Sequence, residues 1–149
     1  MLVGEAQPGQ LTTFDEKWKA AAAAAQPDPG QARALAEVPP GGEVLVVLGT
    51  WCGDSRREVS RFVKALELAG PVPFRVRWVG VDRKKQAPGL DARSLEIRYV
   101  PTFIVSRGGN EIGRVVESSP GGIEADLGAL LREERRGVIT ARPAEASIP

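Results

Sequence analysis

The chain has 149 residues, enough for one domain with its own core. Its 20 Lys and Arg against 19 Asp and Glu leave a formal charge of +1, so nothing in the balance calls for nucleic acid or an anionic membrane as partner. One Cys and no His exclude an intrachain disulfide, a Ser/His/Asp triad, a Cys/His dyad, a His-ligated metal and a structural zinc site, so chemistry falls to carboxylates, Lys or Arg, hydroxyls and the thiol of Cys52.

Residues 1–10 carry Gly, Pro and Gln and read as a flexible arm. Met1-Leu2-Val3-Gly4-Glu5 has no basic segment followed by an apolar stretch, so no signal peptide is expected. That slightly favours the cytoplasm, with the periplasm open if a leader was removed. Thr13-Phe14-Asp15-Glu16 reads as a capping box with Thr13 as the cap. Phe14, Trp18, Ala21, Ala22 and Ala25 then lie on one face of a helix. Gln31–Glu37 reads as a second, short helix before Pro39-Pro40-Gly41-Gly42.

Glu43–Gly49 is an apolar, Val-rich run of the kind found in strands buried on both faces. From Asp54, Val59, Phe62, Val63 and Leu66 follow helical spacing and leave Arg56, Arg57, Arg61 and Lys64 for solvent. Phe74–Asp82 alternates and reads as a second strand. Strand, helix and strand at this spacing make a βαβ unit with parallel strands. Leu90–Ile97 reads as a short helix, and Thr102–Ser106 with Glu111–Glu117 as a hairpin turning at Gly108-Gly109-Asn110. Ile123, Leu127, Leu130 and Leu131 mark a last helix, ended by Gly137. The fold class is α/β: a central four-stranded mixed sheet with helices on both faces and extra N-terminal helices. A single domain is expected over 11–137, with its helical extension at 11–42 and a flexible tail at 138–149.

Cys52 falls where the buried strand gives way to a helix, in Gly49-Thr50-Trp51-Cys52-Gly53-Asp54-Ser55. The first N–H groups of a helix are unpaired and carry partial positive charge. Both favour a thiolate, which is the nucleophile. Arg56 and Arg57 act in the same sense and Asp54 against it.

Trp51-Cys52-Gly53-Asp54-Ser55 resembles the Trp-Cys-Gly-Pro-Cys motif of the thioredoxin superfamily, and Val100-Pro101-Thr102 resembles its cis-proline segment. The element order is similar from Glu43 to about Arg136. The resemblance implies a three-layer thioredoxin-like fold, a cis bond at Val100–Pro101, and Cys52 and Pro101 as neighbours. It implies Cys52 as catalytic residue, with Trp51, Gly53, Asp54, Ser55, Val100 and Pro101 in the substrate-binding surface and the Val100 backbone pairing with the substrate. It also points to a bacterial subgroup of such proteins.

Three departures bear on activity. Ser55 stands where the resolving cysteine would be, Asp54 replaces the motif's proline, and Val46 occupies the place of the family's buried acid. A dithiol cycle is therefore closed to this chain. The Ser55 hydroxyl is left to hydrogen-bond the Cys52 sulfur. The expected function is a monothiol thiol-disulfide oxidoreductase acting on protein thiols, disulfides or an extended peptide segment. No metal or resident cofactor is expected, and glutathione is a candidate external thiol. The alternative is a peptide-binding adaptor with a vestigial site.

Overall fold

The computed structural model describes residues 1–143. The chain order is β1 (Gly4–Ala6), α1 (Pro8–Thr12), α2 (Glu16–Ala24), α3 (Pro29–Ala34), a 3₁₀ turn (Leu35–Glu37), β2 (Gly42–Leu48), α4 (Gly53–Ala69), β3 (Phe74–Gly80), β4 (Thr102–Arg107), β5 (Asn110–Val116), α5 (Ile123–Leu131) and β6 (Gly137–Ile139). It is an α/β fold on one mixed sheet, ordered β1-β3-β2-β4-β5-β6.

The expected four strands are the middle of this sheet, and β1 and β6 widen it to six. β2 and β3 are parallel, from Gly42 opposite Phe74 to Leu48 opposite Gly80. β4 is antiparallel to β2 and to β5. Residues 1–10, read as a flexible arm, supply β1 and the start of α1. β1 pairs antiparallel with β3, and the approach depends on Gly80: a Cβ there would lie 2.2 Å from the Leu2 carbonyl oxygen. Gly137 does not end a helix. The last helix stops at Leu131, and Gly137, at φ 85°, opens β6. The expected tail therefore begins inside a strand, and its part beyond residue 143 lies outside the described residues.

The helices do not cover both faces. Alternation sends Val44, Val46 and Leu48 of β2 to one side and Leu45 and Val47 to the other. The first side meets Leu11, Trp18, Ala32, Phe62, Leu127 and their neighbours, so α1 to α5 all bury their apolar side chains in one cluster. Phe62 packs against Trp78 and Phe103 with ring centroids 5.5 and 5.8 Å away. The second side is covered by the segment 81–100 through Val81, Ile97 and Val100, with Ala87, Leu90 and Leu95 half-buried around them.

That segment contains no helix among the described residues. The short helix expected at Leu90–Ile97 is a turn, in which the Ile97 N–H reaches back to Ala92 O and Glu96 takes φ 55°. The cap of α2 is also displaced. Asp15, not Thr13, receives the Trp18 N–H at 2.9 Å, while the Thr13 hydroxyl donates back to Gly9 O.

The arginines read as a solvated face are only partly so. Arg61 makes a two-pronged bond to Glu124 of α5, at 2.8 and 2.6 Å, and Glu124 also accepts from the Asp28 N–H at 2.9 Å. Glu124 is 1% exposed, so one carboxylate ties α3, α4 and α5 together. Burial by itself pushes the Glu124 carboxyl up. The Arg61 guanidinium and backbone N–H groups outweigh burial and hold it below the usual carboxylate range.

Candidate functional site

Three chain segments meet at one end of the sheet because of strand direction. β2 and β3 are parallel, so their carboxyl ends deliver 49–52 and 81–83 together; β4 is antiparallel to β2, so its start brings Val100 and Pro101 to the same end. Open α/β sheets present their functional loops at such carboxyl ends.

Cys52 is the N-cap of α4 and half-buried. Its Sγ lies 3.5 Å from the Val100 carbonyl oxygen, to which the thiol donates. The Val100–Pro101 peptide bond is cis. Among the described residues, no side chain caps the first turn of α4, so its leading N–H groups point at the thiol end unopposed. Gly53 is exposed, and Asp54 pairs with Arg57 at 2.9 Å. Burial draws the Arg57 guanidinium down, but Asp54 and Glu58 more than offset it and hold it above its usual value. Val100 is 5% exposed and Pro101 is buried.

Ser55 sits differently from expectation. It is fully buried, and its Oγ accepts the Gly49 N–H at 3.1 Å. Gly49 lies just past the last ladder residue of β2, so its N–H needs a partner, and Ser55 supplies one. Ser55 thus braces the loop from inside and offers nothing to a molecule arriving from solvent.

Trp51 is held on three sides. Its Nε1 donates to Val81 O at 3.1 Å, the Arg83 guanidinium lies 5.3 Å from its ring centroid, and its ring edge fills the space a side chain at 49 would take. A Cβ on Gly49 would stand 2.6 Å from Trp51 Cε2. Beneath the loop, the fully buried Trp18 of α2 donates its Nε1 to Thr50 O at 2.8 Å. Trp18, expected only on one face of a helix, and Arg83 were not among the residues expected at the site. A Gly directly before Thr-Trp was the one available signal.

Among the described residues, no group of His, Cys, Asp or Glu is arranged to hold a metal ion, and no helix is long and apolar enough to cross a membrane. The arrangement offers one half-buried cysteine at a helix start, beside a backbone carbonyl and a fixed indole.

No protein-family model matches the chain, and no curated protein matches it. Its fold has counterparts among solved structures. One is the 1.5 Å crystal structure of PA1234 from Pseudomonas aeruginosa, a protein of unknown function: TM-score 0.63, 16% identity, covering 89% of this chain and 92% of that one. Another is an HIV 4E10 epitope scaffold, with TM-score 0.59, 17% identity, and 89% and 93% of the two chains covered. At these identities the likeness concerns the fold alone.

Proposed function

We propose that this chain is a thioredoxin-like thiol-disulfide oxidoreductase that works through Cys52 alone. The observation that carries the reading is the 3.5 Å approach of Cys52 Sγ to Val100 O at the uncapped start of α4. The Cys52 thiolate attacks one sulfur of a disulfide. A Cys52–substrate S–S bond forms, the substrate S–S bond breaks, and the other half leaves as a thiolate. An external thiol such as glutathione then attacks the mixed disulfide and frees Cys52. Val100, whose carbonyl oxygen lies 3.5 Å from the sulfur, its neighbour Pro101, and Trp51, Gly53 and Asp54 beside Cys52 in the chain are the residues we assign to the substrate surface.

The test is mass spectrometry of the native chain after incubation with glutathione disulfide, followed by reduced glutathione. One adduct at Cys52, cleared by the second thiol and missing from Cys52→Ser, is expected. A native chain that takes no adduct, while the denatured chain does, overturns the reading.

A second reading, a peptide-binding adaptor, draws support from the Val100 backbone. Among the described residues, no acceptor pairs with the Val100 N–H, which suits an added strand. Partner binding unchanged in Cys52→Ala, together with no exchange chemistry, would favour it.

A further inference from the structure

A cleft of about 610 Å³ opens against the face of Trp51, between α2, the 49–52 loop and the 81–83 segment. Phe14, Lys17, Thr50, Trp51, Arg56 and Arg83 line it. Arg57 and Arg61, on the same helix as Arg56, are both paired, but among the described residues Lys17, Arg56 and Arg83 have no carboxylate within salt-bridge distance. The two acids on the rim are engaged elsewhere: Asp15 caps α2 through the Trp18 N–H, and Glu16 pairs with Lys19. The cleft reaches the chain neighbours of the sulfur. A Cβ on Gly53, the residue after Cys52, would lie 3.5 Å from an Arg56 guanidinium nitrogen, and the Arg83 guanidinium lies 5.3 Å from the ring centroid of Trp51, the residue before it.

Resting on the exchange reading above, we infer that the preferred substrate is a disulfide carrying a carboxylate a few atoms from its sulfur. Arg56 and Arg83 hold that carboxylate against the Trp51 face. Guanidinium groups are suited to this because they present a planar fork of donors to a carboxylate and stack on aromatic rings. The held half of the disulfide brings its sulfur to Cys52, forms the new S–S bond, and releases the other half as a thiolate. Two partly exposed charge contacts support about a tenfold rate preference, which salt will reduce.

The experiment compares three disulfides of similar size as substrates of the native full chain: dithiodipropionate, hydroxyethyl disulfide and cystamine, which are anionic, neutral and cationic. Adduct formation at Cys52 is timed by mass spectrometry at low and high salt. The expected order is anionic over neutral by about tenfold, with cationic slowest, compressing at high salt. The double variant Arg56→Gln with Arg83→Gln is expected to bring the anionic-to-neutral ratio near one. Lys64→Gln, which removes a charge from the exposed side of α4 outside the cleft, is expected to keep it. Equal rates for all three disulfides, or a preference that survives the double variant, overturns this inference and leaves exchange standing. Failure of all three to react with the native chain, while the denatured chain reacts, overturns exchange and the inference together.

Discussion

Gly49 is the residue on which the geometry of the loop turns. Its missing side chain is where the Trp51 ring sits, and its N–H is what Ser55 holds. Gly49→Ala puts a Cβ into the indole, so the ring must move and its bond to Val81 O is lost. We expect about 1–3 kcal/mol lost in denaturant unfolding, as for other overpacked sites, and a shifted Trp51 indole N–H resonance. An unchanged resonance and midpoint would show that the loop has room to give. The Cys52 position was legible because a strand-ending apolar run, a Trp-Cys pair and a helical repeat follow one another directly. The inward turn of Ser55 was not legible. A serine in a first helical turn reads the same whether it faces solvent or a strand-end N–H, and only the register of β2 decides.

Between elements, the bond from Arg61 to Glu124 joins α4 to α5, and the Asp28 N–H adds α3. Glu124 has a folded-state value below the ordinary one, so its stabilising share is full above the unfolded carboxylate range, near pH 4.3, and fades as pH falls below that toward the folded value. Glu124→Gln is expected to cost about 2 kcal/mol at neutral pH, less than a fully buried pair because Arg61 stays one-third open to water. It should also flatten the acid limb of the unfolding curve. Chemical denaturation at pH 7 and at pH 3 checks both; a variant as acid-sensitive as the parent would assign that limb to other carboxylates. Helical spacing placed α4 and the start of α5, but not the end of α5. It did not foresee that Arg61 pairs, since the repeat gives a side chain's direction but not what another helix presents to it.

At the scale of the whole molecule, the two sides of the sheet differ in kind. Among the described residues, one carries five helices and nearly all the large core side chains; the other is covered by a segment held by a few turn bonds, such as Leu95 N–H to Asp91 O and Asp82 N–H to Gln86 O. Opening free energies follow such differences, so amide exchange in 83–96 is expected to be far faster than in β2 and β4, which lie inside the sheet. Equal protection across these regions would mean that the covering segment opens only with the whole fold. This asymmetry was hidden in the sequence because Leu90–Ile97 has enough apolar residues for a helix, and only its backbone, with Glu96 at φ 55°, rules one out.

The antiparallel run of β4 beside β2 also gives the molecule a front and a back. The six residues of β4 start beside Pro101 and end at the Gly108-Gly109 turn, a span of roughly 20 Å at ordinary strand rise. A tether joined at that exposed turn would anchor the protein by its rear. The sulfur would then face outward from a bead or electrode, with the sheet itself as the spacer between attachment and chemistry.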